Sequence, residues 1–136
     1  MVCHRAYRIY ADAVGIKRIG KQIRSKFNRA MRKAIEMGVV EEHNDYGTSD
    51  QINKVVHIVG TPSVIRRERG DREIKEIPPS EIAEAMREII EHIFSEEVED
   101  KDVVFRQVLV SYELKRKTQN AIKALDCAWQ IYKQQE

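Results

Sequence analysis

Four histidines and two cysteines are the residues from which this 136-residue chain would have to assemble a metal site or a nucleophile. Zinc sites need ligands a short turn or one helical turn apart, and no such spacing occurs among His4, His43, His57, His92, Cys3 and Cys127. Cys3-His4 is adjacent rather than spaced and reads as a surface terminus, while His57 reads as a packed or solvated strand residue. Glu81, Glu84, Glu88 and Glu91 would supply paired carboxylates, but their helical spacing is that of the wet face of an amphipathic helix. No phosphate-binding loop, dinucleotide fingerprint or nucleophile elbow occurs, and Gly15 and Gly20 form no such pattern. No catalytic residue, metal ligand or cofactor is expected.

The residues that do cluster are basic. Between Met1 and Gly38 ten lysines and arginines face only Asp12 and Glu36, whereas the whole chain carries a net charge of +2. Such asymmetry suits a polyanion, or an acidic face elsewhere in the same chain. Lys17, Lys21, Arg24, Asn28 and Arg32 recur at helical spacing, with Arg18 beside the first. On a helix lying in the major groove of DNA, arginine reaches guanine O6 and N7, and asparagine reaches adenine N6 and N7. Lysine and arginine ahead of that helix neutralise phosphates, with an affinity that falls steeply with salt. The candidate nucleic-acid-binding set is therefore Lys17, Arg18, Lys21, Arg24, Asn28 and Arg32. Asn28 is the one non-basic reader, so any base preference would be slight.

Positioning that set requires a helix from about Gly20 to Met37, with Ile23, Phe27, Ala30, Met31 and Ala34 as its apolar face. A shorter helix, Arg5 to Val14, precedes it and closes at Gly15. Val39–Glu42 and Lys54–Val59 then read as strands flanking the turn-forming run from His43 to Asp50. A hairpin after a basic helix has the outline of a wing. The charged run Arg66 to Arg72 reads as a solvated linker. Ile77-Pro78-Pro79-Ser80 marks a helix start, with serine as a cap. The helix that follows presents Ile82, Met86, Ile89, Ile90, Ile93 and Phe94 on one face, and an acidic loop is expected from Ser95 to Asp102.

An offset of 98 residues then aligns a second helix pair with the first. Tyr7 meets Phe105, Ile16 meets Leu114, Lys17-Arg18 meets Lys115-Arg116, and Phe27, Ala30 and Met31 meet Leu125, Ala128 and Trp129. The second pair is expected at Val103–Tyr112 and Thr118–Gln134, with Thr118 as an N-cap. It has a leading helix and no wing; the first has a wing and no leading helix. The expected class is α+β, mainly helical, with two winged-helix-like (helix-turn-helix) halves, the first bearing a β-hairpin wing. Its boundaries are a basic unit over 1–60, a charged linker over 61–76 and a second unit over 77–136.

Two stretches carry a family resemblance. Gly15-Ile16-Lys17-Arg18-Ile19-Gly20-Lys21-Gln22-Ile23-Arg24 and Ile77-Pro78-Pro79-Ser80-Glu81-Ile82-Ala83-Glu84-Ala85-Met86 resemble the C-terminal domain, of unknown function, of large bacterial helicase-related proteins. That family shows an R-x-G-x-x-I basic helix start, matched by Arg18, Gly20 and Ile23, and an I-P-P-x-E-I-A-x-A junction. The second helix pair departs from the first motif, with Arg116, Thr118 and Ala121 in the aligned places. The resemblance implies tandem winged-helix-like units, a helicase or nuclease partner, and a detached or truncated accessory module rather than a motor.

Two functional readings fit these residues: non-catalytic binding of nucleic acid, DNA in the first instance, and protein interaction, scaffolding or dimerisation. An exchanged helix would complete each unfinished unit, so a homodimer suits either. No signal peptide or membrane span is expected, and two distant cysteines make the cytoplasm the default location.

Overall fold

Glycines in the left-handed region punctuate the first part of the chain and set its helix lengths. Helix α1 spans Cys3–Ala13. It ends where Gly15 takes φ +81°, so that Ile16 N–H donates to the Ala11 carbonyl at 2.8 Å and Gly15 N–H to that of Asp12. Helix α2 spans Lys21–Glu36 and is closed by the same kind of turn at Gly38, φ +76°. Strands β1 (Val40–His43) and β2 (Val55–Ile58) form an antiparallel hairpin with Val40 opposite Ile58 and His43 opposite Val55. A 3-10 turn at Gln51–Asn53 lies in its long connection. The structure, a computed structural model, describes residues 1–92 and 100–135. It is α+β and mainly helical, and divides into two compact units, Met1–Ser63 and Val64–Glu136.

The core of the first unit is small. Cys3, Tyr7 and Val56 are buried, with Ile19, Phe27, Met31, Val40 and Ile52 partly buried around them. The segment expected as a surface terminus is part of it, since Val2 and Cys3 are wholly buried. Val2 bridges Val55 antiparallel, Cys3 N–H donates to the Lys54 carbonyl and Val56 N–H to that of Met1. These residues pair the edge of β2 that β1 leaves open, and satisfying that edge pulls two small apolar side chains inward.

The second unit is built on α3 (Pro79–His92), α4 (Lys101–Ser111) and α5 (Gln119–Gln134). Pro79 takes the first helical position, where its missing N–H costs nothing. Ser80, expected as a cap, lies within the first turn. Ile82, Met86, Ile89 and Ile90 pack against Val104, Phe105, Val108, Leu125, Ala128 and Trp129 in one continuous core. Thr118 caps α5 as expected, its Oγ1 accepting from Ala121 N–H at 3.1 Å. Ile93, Phe94 and most of the expected acidic loop from Ser95 lie outside the described residues.

The run expected as a solvated linker folds instead onto this unit. Arg72 and Glu81 are 4% and 3% exposed and form a two-pronged ion pair with bonds of 2.9 and 2.8 Å. Arg72 also donates to the Glu68 and Arg69 carbonyls, and Arg69 Nε to that of Tyr112 at 2.6 Å. Burial works against the charge on Arg72, but Glu81 outweighs it and holds the guanidinium pKa above its ordinary value. Glu81 is thus a correction to the expected wet face. Charge alone suggested solvent; here opposite charges nine residues apart satisfy each other inside the fold. Residues 64–76 accordingly belong with the second unit rather than between the two.

The two helix pairs correspond closely. Helices α1 and α4 each have 11 residues and α2 and α5 each have 16, all at the 98-residue offset. Leu114 N–H donates to the Leu109 carbonyl at 2.9 Å and Glu113 N–H to that of Val110, the bonds Ile16 and Gly15 make in the first pair. Glu113 adopts φ 58° where the first pair has glycine.

Candidate nucleic-acid interface

Lys17, Arg18 and Gly20 lie in the irregular connection between α1 and α2, and Lys21 opens α2 itself. Lys17, Arg18, Lys21 and Arg24 are exposed and make no ion pair among the described residues. The first turn of α2 holds no acidic residue and its N-cap, Gly20, makes no side-chain cap bond. The peptide N–H groups of that turn therefore add partial positive charge to the side chains already there.

Asn28 and Arg32 are placed differently from the rest of the expected stripe. Tyr7 donates its hydroxyl to Asn28 Oδ1 at 2.8 Å, which ties α2 to α1. Burial raises the Tyr7 pKa, so this donor stays protonated. Arg32 donates to Glu42 at 3.0 Å and to Gln51 at 2.7 Å, which ties α2 to the hairpin and its connection. Burial opposes the Glu42 charge, but Gln51, Arg32 and Lys54 hold its carboxyl below its ordinary range. The spacing of the stripe was legible; which members another element holds was not. Three basic residues absent from that stripe, Lys26, Arg29 and Lys33, are exposed along α2. Their recurrence at intervals of three and four is the signal that would have found them.

Two of the histidines lie near each other, and each has an acidic neighbour. The His43 and His57 rings lie 6.2 Å apart. His43 Nδ1 is 2.7 Å from Asp45, a hydrogen bond that raises the ring's pKa, and His57 Nε2 is 3.0 Å from Glu41 across the hairpin. No group of three or more potential ligands converges among the described residues. Nor is any helix among them long and apolar enough to cross a membrane.

A second feature of the same unit was not foreseen. Ala6, Tyr7, Tyr10, Phe27, Ala30, Met31, Ala34 and Val40 line an open, largely apolar groove of about 480 Å³ between α1 and α2. Tyr7 and Tyr10 both meet the Phe27 ring edge-on, at 5.3 and 5.6 Å. No family model, curated protein or solved structure matches this chain.

Proposed function

We propose that the first unit is a non-catalytic DNA-binding module of winged-helix-like form, with α1 and α2 as its helix-turn-helix and β1–β2 as its wing. One observation carries this reading: Lys17, Arg18, Lys21 and Arg24 stand exposed and without ion pairs among the described residues, around the uncapped start of α2. The unit from Met1 to Ser63 holds eleven basic residues against six acidic ones, a net +5 that would concentrate a polyanion at that surface. In this reading those four residues meet phosphates, and Arg29, further along α2, adds to the local positive field without a phosphate contact of its own. Asn28 and Arg32 act as positioning residues that lock α2 onto α1 and the hairpin. In this reading the resemblance to the helicase-related family supports a helicase or nuclease as the module's partner, and the two distant cysteines support a cytoplasmic setting.

Fluorescence anisotropy with labelled duplex and single-stranded DNA across a salt series tests this. Four phosphate contacts would give a log–log salt slope of roughly −3 to −4 on duplex. The double variant Lys21→Glu/Arg24→Glu would abolish binding while circular dichroism stays unchanged. Absence of salt-sensitive binding at low ionic strength would end the proposal.

A further inference from the structure

The groove between α1 and α2 has a counterpart in the same chain, and there it is filled. Tyr7, Tyr10, Phe27, Ala30, Met31 and Ala34 stand 98 residues before Phe105, Val108, Leu125, Ala128, Trp129 and Tyr132. Every one of the latter six is buried in the core that α3 covers. The contrast is plain at one of these pairs, where Tyr10 is 57% exposed and Val108 0%, and it extends beyond the groove to Val14, 52% exposed, and its counterpart Tyr112, 1%. The helix that covers the second face is amphipathic. It seats Ile82, Met86, Ile89 and Ile90 inward and carries Glu84, Glu88 and Glu91 towards solvent or at the rim.

We propose that the groove is the docking site for an acidic amphipathic helix of a partner polypeptide, which completes the first unit as α3 completes the second. An apolar face of this kind is the usual seat of a helix whose anchors recur at three- and four-residue intervals. Charge decides which helix. Lys26 and Lys33 flank Ala30 on α2, exposed and without ion pairs among the described residues. They hold the positions of Ala124, wholly buried, and Ile131, partly buried, in the second unit. An occupant therefore meets ammonium groups where the second unit presents apolar side chains to its core, and needs carboxylates beside its aliphatic anchors. A second copy of the unit is the poorer occupant, because two bodies of net +5 would have to meet across this basic rim. The inference goes beyond DNA binding and does not rest on it, since Lys21 and Arg24 are not part of the groove.

The probe is a fluorescein-labelled peptide with the sequence of residues 77–92, titrated into the full chain with anisotropy as the readout. Saturable binding at micromolar concentration is expected, weakened at least about tenfold by Ala30→Arg, which places a charge in the groove floor. Tyr10→Ser, which removes its aromatic wall, would act in the same direction. Ala30 and Tyr10 are both exposed, so circular dichroism should be unchanged in each. A peptide carrying Met86→Asp and Ile89→Asp should not bind, and one with Glu84, Glu88 and Glu91 all changed to Gln should bind several-fold more weakly. Trp129, the chain's single tryptophan, lies in the second unit and should keep its emission throughout. Failure to saturate, indifference to Ala30→Arg, or a shift in Trp129 emission from exchange with α3 would each overturn the proposal. So would a concentration-dependent dimer that Ala30→Arg dissolves, which would assign the groove to a second copy.

Discussion

The two units carry helix pairs of equal length joined by turns with the same hydrogen bonds, yet α5 buries six residues and α2 buries none. In the second unit α3 and the strap around Arg72 close over the pair, and nineteen described residues form one buried cluster. In the first, the hairpin and the residues preceding α1 cover one side only, and three residues form the corresponding cluster. Helix length and turn geometry are local matters, settled by capping bonds and by which residue tolerates a positive φ. Burial is not: a helix pair has two sides to cover, and it becomes a core only where further elements supply the cover.

The largest expected effect lies at the ion pair that has no equivalent in the first unit. Arg72→Ala should destabilise the second unit by about 3–5 kcal/mol, because it leaves the Glu81 carboxylate buried and unpaired. Urea unfolding followed by Trp129 emission would show this, while amide exchange in α2 stays unchanged. A neutral result would mean that the strap is not integral to the second core. Next comes a matched pair of core truncations. Leu125→Ala should cost about 2–5 kcal/mol at a wholly buried site, whereas Phe27→Ala at the aligned, partly buried site should cost about 1–2 kcal/mol. Hydrogen exchange resolved by unit would measure both, and equal losses would contradict the difference in burial.

The smallest expected effects concern the shared turn and should have opposite signs. Gly15→Ala puts a Cβ at φ +81° and should cost about 1 kcal/mol, although nothing lies within 4 Å of the added atom. Glu113→Gly relieves the same conformation at φ 58° and should stabilise the second unit by up to about 1 kcal/mol. Thermal unfolding of the two variants would reveal the signs. Changes in the same direction would show that the two turns are not equivalent.

Much of the helical framework was legible because 3.6-residue periodicity and glycine punctuation are written locally. Gly15 and Gly38 mark the ends of α1 and α2 to within two residues, and Thr118 marks the start of α5. The basic side chains near the start of α2 were legible for the same reason, since spacing along a helix fixes a common side. What was not legible depended on partners distant in the chain. Arg72 reads as solvated in the sequence and is held by Glu81, Asn28 reads as one of a stripe and accepts from Tyr7, and Val2 and Cys3 read as terminal and pair the edge of β2.

The sequence by itself determined the five α-helices found among the described residues, the hairpin, the concentration of positive charge before Gly38, and the 98-residue correspondence between the helix pairs. The tertiary structure alone decided which apolar faces are covered. Tyr10 and Val108 occupy the same place in equivalent helices. One is exposed and the other buried because burial belongs to the element that packs against a residue, and periodicity records only the side on which that element would have to lie.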